Sequence, residues 1–177
     1  MAEDNDLSLI IEECKNGSER AFEELFDLYS GRCYSFFMRL CGDHHTSEDL
    51  LSELFVKLVN KIGTFRGGKF ESWLFRIASN IFYDHLRKKQ RTQKLLDESI
   101  ENQERKQPRH LVSDEIIEEN LQTALEKLDV ETRELILKRY FGEMSFKELS
   151  SLNNEPIGTT LAKVHRGLKQ LRSLMER

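Results

Sequence analysis

The chain has 177 residues, room for one or two small domains. Charged residues make up 33% and hydrophobic ones 38%, with only 2 Pro and 9 Gly, which points to a helix-rich soluble chain. No apolar run approaches the ~20 residues of a membrane span, and the acidic start MAEDNDLSLI lacks the basic opening of a secretory signal. Cys14, Cys33 and Cys41 show no C-x-x-C spacing and read as buried thiols of a reducing cytoplasm. The five histidines form no metal set, and His44-His45 reads as a polar loop. No nucleophile–base set, phosphate loop or cofactor motif is visible, so an enzyme is the least favoured class. The formal net charge of −4 hides a pattern. Residues 1–60 and 97–160 are acid-rich, whereas 61–96 and 161–177 are base-rich. Two basic islands in an acidic chain suggest two separate contacts with a polyanion.

The spacing predicts an all-α chain. A first helix covers Asp6 to Asn16, with Leu7, Ile10, Ile11 and Cys14 on one face. Ser18 caps a second helix, in which Phe22, Leu25, Phe26, Tyr29, Cys33, Phe36, Phe37 and Leu40 keep the 3.6-residue period and Gly42 ends the run. Ser47 opens a third, with Leu50, Leu51, Leu54, Phe55, Leu58 and Ile62 inward. KIGTFRGGKFES is a glycine-bearing loop. A fourth helix runs from about Phe70 to Lys89, burying Trp73, Leu74, Ile77, Ala78, Ile81, Phe82 and His85. These four helices can close one core. Residues 91–113 are polar, contain Pro108 and read as a flexible linker.

A second helical unit covers 114–177. Ile117, Leu121, Ala124, Leu125 and Leu128 mark one helix. Asp129 caps the next, with Leu135, Ile136 and Tyr140 inward and Gly142 at its end. Ser145 and Glu148 then form an S-x-x-E capping box before Phe146, Leu149 and Leu152. Asn153 and Asn154 tolerate left-handed backbone, and Pro156 suits the first turn of a last helix. That helix carries an apolar stripe of Ile157, Leu161, Val164, Leu168, Leu171 and Met175. Opposite it stand Thr159, Ala162, Lys163, Arg166, Lys169 and Gln170. Short helix, tight break and basic helix are the layout of a helix-turn-helix, whose second helix enters the DNA major groove. Upstream, Phe65, Arg66, Lys69, Phe70 and Trp73 mix aromatics with cations, as single-stranded nucleic acid requires. Phe70 and Trp73 suit a core equally well, which leaves Phe65, Arg66 and Lys69 as the contacts.

Three stretches together resemble bacterial RNA polymerase sigma factors of the extracytoplasmic-function (ECF) group. HTSEDLLSELFVKLVNKIGTF is similar to the helix that binds the polymerase clamp. FESWLFRIASNIFYDHLRKKQR is similar to the helix that reads and melts the minus-ten element. ALEKLDVETRELILKRYFGEMSFKELSSLNNEPIGTTLAKVHRGLKQLR is similar to the fourth region, which reads the minus-thirty-five element. The resemblance implies a region 2 domain over 1–90, a linker over 91–113 and a region 4 domain over 114–177. It implies core-polymerase contacts at Glu48, Asp49, Leu50, Glu53, Phe55 and Lys57, with Ser52 where the family favours Gln. Minus-ten contacts fall on Phe65, Arg66, Lys69, Phe70, Asn80, Arg87 and Lys88, with Asp84 beside them. Minus-thirty-five contacts fall on Thr159, Lys163, His165, Arg166 and Lys169. Thr160 stands where the family is usually apolar, and Leu161 where it is basic or polar. From that swap the last helix is expected to sit slightly rotated, with one cation fewer toward DNA. Asn154 replaces a glycine of the turn and Glu155 an apolar residue, which leaves base preference at the minus-thirty-five element open. The implied partners are core polymerase and promoter DNA, duplex upstream and single-stranded at the minus-ten element. Members are often held by an anti-sigma factor. Neither cofactor nor metal is implied.

Two other readings fit the residues alone. One is a polymerase-independent helix-turn-helix regulator, which has no need of the aromatic and cationic loop. The other is a helical protein adaptor, which has no need of the two basic islands.

Overall fold

A computed structural model describes residues 2–96 and 113–176, with side chains over 6–93 and 119–176. The middle of the expected linker, Pro108 included, and the side chain of Ile117 lie outside these residues. Eight α-helices and one 3-10 turn run along the described residues, which contain no strand.

Helix α1 is Ala2–Lys15 and α2 is Glu19–Cys41. The Ser18 hydroxyl accepts the Ala21 N–H, and Gly42 closes α2 with φ +66°, a left-handed turn that costs glycine little. Helix α3, His44–Lys61, begins before Ser47 because Asp43 caps it, its carboxylate accepting the Thr46 N–H at 2.8 Å. Ser47 is instead fully buried and donates back to the Asp43 carbonyl at 2.6 Å. His44 and His45 therefore lie in the first turn of α3 rather than in a loop. After a 3-10 turn at Ile62–Thr64, α4 covers Phe70–Leu96 and runs beyond Lys89 into the segment expected as linker.

The first core is aromatic and aliphatic: Leu25, Phe36, Phe37, Leu54, Leu58, Leu74 and Ile81 are fully buried. Each such side chain is worth about 1.5–3 kcal/mol in burial. Phe75, off the expected stripe of α4, is fully buried too. It packs edge-on against Phe36, with centroids 5.1 Å apart, and its Cβ lies 3.2 Å from where a Cβ on Gly142 would be. So α4 is covered on two sides, the second by the C-terminal unit.

That unit comprises α5 (Ser113–Glu126), α6 (Val130–Phe141), α7 (Phe146–Asn153) and α8 (Ile157–Met175). Asp129 caps α6 through the Thr132 N–H. Both halves of the Ser145–Glu148 capping box form, and Asn154 takes the left-handed φ of +51° that the break demands. Helix α6 is central, with every residue from Arg133 to Lys138 buried. Tyr140, expected inward, is 76% exposed: it lies on the outer side of the last turn of α6, edge-on against Phe141, whose ring packs inward on Phe36.

The two units meet where α2 and α4 pack on α5 and α6, through a shared apolar cluster and a set of polar contacts. Arg133 donates to the Leu40 carbonyl at 3.0 Å, and to the Glu126 and Leu128 carbonyls of its own unit. Tyr83 donates to Glu134 at 2.9 Å, and Glu134 pairs with Lys138 at 2.8 Å, both ends buried. Ser72 donates to Glu148 at 2.8 Å. Glu143, held at a left-handed φ of +48°, accepts from Lys69 at 2.8 Å and from Arg32 at 2.9 Å.

Candidate nucleic-acid and polymerase interfaces

Three surfaces carry the expected contacts. The first surrounds the loop before α4. Gly67 and Gly68, at φ +97° and +87°, turn the chain sharply and bring Arg66 and Lys69 to the rim of an open cavity of about 950 Å³. Its walls are the inner side of α1, the loop and Glu143. The expectation of exposed aromatic stackers fails here. Phe65 is 7% exposed and Phe70 2%. Their rings lie 5.5 Å apart, each within 5.3–5.6 Å of Trp73, with the Lys15 ammonium over Phe65. Three rings in contact bury more apolar surface than one ring left out for a base, so the loop packs them as core. Arg66 and Lys69 remain exposed. The Lys69 ammonium is taken by Glu143, whose carboxyl is held below its ordinary value by that hydrogen bond first, against a smaller rise from burial, and then by Arg32.

Farther along α4, Asn80, Arg87 and Lys88 are exposed, and Arg87 pairs with Asp84 at 3.0 Å. Asn80 and Arg87 share a hollow of about 300 Å³ with Lys57 and Lys61 of α3. Lys57, expected with the polymerase set, is thus brought beside the minus-ten set, and Lys61 joins it unforeseen. Arg76, exposed on the same face, lines a hollow between α4 and the C-terminal unit.

The second surface is the outer side of α2 and α3. Glu48 and Asp49 are exposed, and Glu53 and Phe55 are half-buried. Leu50 is 3% exposed, so its side chain belongs to the core and cannot meet a partner there. Sequence reading missed the apolar neighbours. Val56 is 63% exposed, and Phe26, Leu28 and Val59 are exposed as well. The Phe26 and Phe55 rings lie 4.6 Å apart. Their signal was available: Val56 and Val59 fall off the buried stripe of α3, on its acidic face. Acid around an exposed apolar patch suits a basic protein surface.

The third surface is α8. Its buried face is Thr160, Val164 and Gly167, so of the expected apolar stripe Val164 is buried and Leu171 half-buried against the core, while the rest turns outward. Leu161, expected inward, is 44% exposed, and Ile157, Leu168 and Met175 are exposed too. The cause is close approach. A Cβ on Gly167 would lie 2.4 Å from Thr132 Cγ2 and 2.9 Å from Ile136 Cδ1, so α8 presses its small side onto α6. Thr159, Ala162, His165, Arg166 and Lys169 are exposed as expected. Lys163 is only half-exposed, because Glu131 and Glu155 hold its ammonium.

Burial pushes the Cys33 thiol up to about 12 and the Cys41 thiol up to about 11, so neither is a ready thiolate at neutral pH. Among the described residues no three His, Cys, Asp or Glu cluster as a metal site, and no helix is long and apolar enough to cross a membrane.

A cation-rich helical module joined to a helix-turn-helix module defines a DNA-binding transcription protein. Comparison with known proteins narrows the class. Residues 25–92 match Sigma-70 region 2 and residues 118–171 match Sigma-70 region 4. The ECF sigma factor SigW of Bacillus subtilis is 31% identical over 173 residues, covering 92% of both chains. SigM of the same organism is 28% identical over 158 residues, 88% of this chain and 95% of SigM. The solved sigma factor RpoE of Bartonella quintana, in complex with the anti-sigma factor NepR, superposes with a TM-score of 0.71 at 25% identity. That match covers 88% of this chain and 96% of RpoE. The fold also matches CnrH bound to the cytosolic domain of CnrY, with a TM-score of 0.69 at 18% identity. The chain belongs to the ECF RNA polymerase sigma factors: it binds core RNA polymerase and directs it to specific promoters.

Proposed function

We propose a division of labour among the three surfaces, with region 2 over 1–90 and region 4 over 114–177. The acidic and apolar outer side of α2 and α3 docks on core polymerase through Glu48, Asp49, Glu53 and Phe55, helped by Val56 and Phe26. Arg66, Lys69, Asn80, Arg87 and Lys88, with Lys57 and Lys61 beside them, line the path of the minus-ten strand. Unstacking a base costs a few kcal/mol, and the cavity behind the loop is where a flipped base is received. Phe65 and Phe70 support its floor. On α8, Thr159, His165, Arg166 and Lys169 face the duplex at the minus-thirty-five element. The chain acts by binding alone rather than by catalysis, and it works in the cytoplasm beside the polymerase.

The observation that carries this reading is the pairing of Lys69 with Glu143. A cation of the minus-ten surface is occupied by region 4 in the free chain, so strand capture requires the units to part. Core polymerase, by engaging both units, supplies that separation, and the free chain binds promoters weakly. An anti-sigma partner of the type seen with RpoE fits the apolar groove of about 810 Å³ bordered by Leu121, Ile136, Tyr140, Leu168 and Leu171. Reconstitution tests the proposal. Gel filtration with bacterial core polymerase gives a stable complex, and run-off transcription on genomic fragments gives start-site-specific products. Nanomolar, sequence-specific duplex binding by the free chain, with no polymerase complex, would replace it with a stand-alone regulator.

A further inference from the structure

The row Thr159, Lys163 and Arg166 runs along one side of α8 at spacings of four and three, so Lys163 stands in the middle of the DNA-facing row. Its ammonium, however, is turned to the protein. It donates to Glu131 Oε1 at 2.5 Å, at the start of α6, and to Glu155 Oε2 at 2.7 Å, in the turn before α8. The other oxygen of Glu155, Oε1, accepts from the fully buried Thr160 hydroxyl at 2.8 Å. The Glu155 backbone N–H in turn donates to the Ser150 carbonyl of α7 at 3.1 Å. Thus Glu155 binds α7, the turn and two positions of α8 at once, and Lys163 carries the tie on to α6. Glu155 itself is mostly covered, with its side chain 13% exposed. The Lys163 hydrogen bond, ahead of a rise from burial, keeps its carboxyl below its ordinary value, so it is charged at neutral pH.

We infer that Glu155 is a positioning residue of the upstream DNA reader, and that with Glu131 it holds Lys163 as a brace rather than a phosphate contact. The inference rests on the reading of α8 as the DNA-facing helix. Its consequence is a reader with one cation fewer than its sequence shows. Base recognition then rests on Thr159, the Ala162 methyl, which suits a thymine methyl, and Arg166, which suits guanine. A lysine given up to two carboxylates also leaves a negative spot between Thr159 and Arg166, which disfavours a close phosphate there.

Counterion release separates the two roles. Each cation that neutralises a phosphate adds about 0.9 to the slope of log K against log[salt]. The full chain, assembled with core polymerase, is titrated onto a promoter fragment recovered by the run-off assay, at several NaCl concentrations. Arg166→Ala and Lys169→Ala are expected to lower the slope by about 0.9 each. Lys163→Ala is expected to leave the slope unchanged, while affinity falls because the brace is lost and Glu131 and Glu155 stand unpaired. Glu131→Gln/Glu155→Gln releases the lysine and should steepen the slope by about 0.9. Adding Lys163→Ala to that pair should abolish the gain, which separates a freed cation from relief of acidic repulsion. A slope loss in Lys163→Ala equal to that of Arg166→Ala would overturn the brace. So would a gain that survives in the triple variant. If Arg166→Ala and Lys169→Ala change nothing, the assignment of α8 to DNA fails, and the brace with it.

Discussion

Replacing Gly167 by alanine tests the close approach of α8 to α6. An interior alanine gains about 0.8–1.0 kcal/mol of helix propensity over glycine. Against this stands the space. Carbon atoms rest at about 3.5–4.0 Å, and the new methyl would meet Thr132 Cγ2 at 2.4 Å and Ile136 Cδ1 at 2.9 Å. The isoleucine end can rotate. Thr132 is β-branched in the first turn of α6 and has little freedom. Overpacking of this kind costs about 1–3 kcal/mol, and two contacts this short put it near the upper end. The net effect is a loss of about 1–2 kcal/mol, which lowers the Tm of a unit this small by about 5–10 °C. Scanning calorimetry of the full chain reads it. Thr132→Ser removes the offending methyl, so Gly167→Ala in that background should be neutral or stabilising, a coupling that a double-mutant cycle isolates. Pushing α8 outward also displaces Thr159 and Arg166, so upstream promoter affinity should fall in the single variant and recover in the double. A rise in Tm from Gly167→Ala alone would refute the packing argument.

Glu143 and Glu148 tie the two units together, and both carboxyls are lowered from 4.5. For Glu148, burial raises the pKa but is outweighed by the Ser145 backbone N–H, then the Ser145 and Ser72 hydroxyls. A lowered carboxylate contributes its stabilisation above 4.5 and loses it as pH falls through the folded-state value. The radius of gyration in small-angle scattering should therefore be constant from pH 7 to 5 and grow on acidification below that range. Lys138→Met leaves the buried Glu134 carboxyl with only Tyr83 as a partner, at a cost of about 3–5 kcal/mol. Adding Glu134→Gln should recover most of it in urea titration. Val56→Glu places charge in the exposed apolar patch. It should weaken core-polymerase binding at least about tenfold in a competition assay, while a surface change of this kind moves stability by no more than about 0.5 kcal/mol.

Local chemistry made much of the fold legible. Ser18, Asp129 and the Ser145–Glu148 box each satisfy backbone N–H groups within a few residues, and all formed where the sequence put them. Asp43 and Ser47 compete for one helix start, and only packing decides, since Ser47 is needed inside. What failed depends on the far side of a contact. Apolar spacing assigned Leu161 and Leu168 to the core, but α6 comes too close for leucine and selects Thr160 and Gly167. Periodicity likewise placed Leu50 inward, and the structure sides with it against the residue-by-residue analogy that made it a partner contact. Sequence reads Phe65 as a contact beside Arg66 and Lys69, but the neighbouring Phe70 and Trp73 rings hold it in the core. Ion pairs such as Lys69 with Glu143, 74 residues apart, leave no trace in local pattern.

The seam between the two units has a bearing on what happens after they part. Glu134 and Lys138 sit four residues apart on the same helix and stay together when α4 leaves. Arg133 keeps the Glu126 and Leu128 carbonyls of its own unit. Glu143, Glu148, Lys69 and Arg32 exchange one another for water. The greasy portion, which includes Phe36 and Phe75 against Phe141 and Gly142, belongs to one buried apolar cluster that runs through both units. Opening therefore strands no buried charge, but it bares the apolar sides of that shared cluster. The parted form is thus one that a partner must cover, and a chain opened without one would be prone to clump with its own copies.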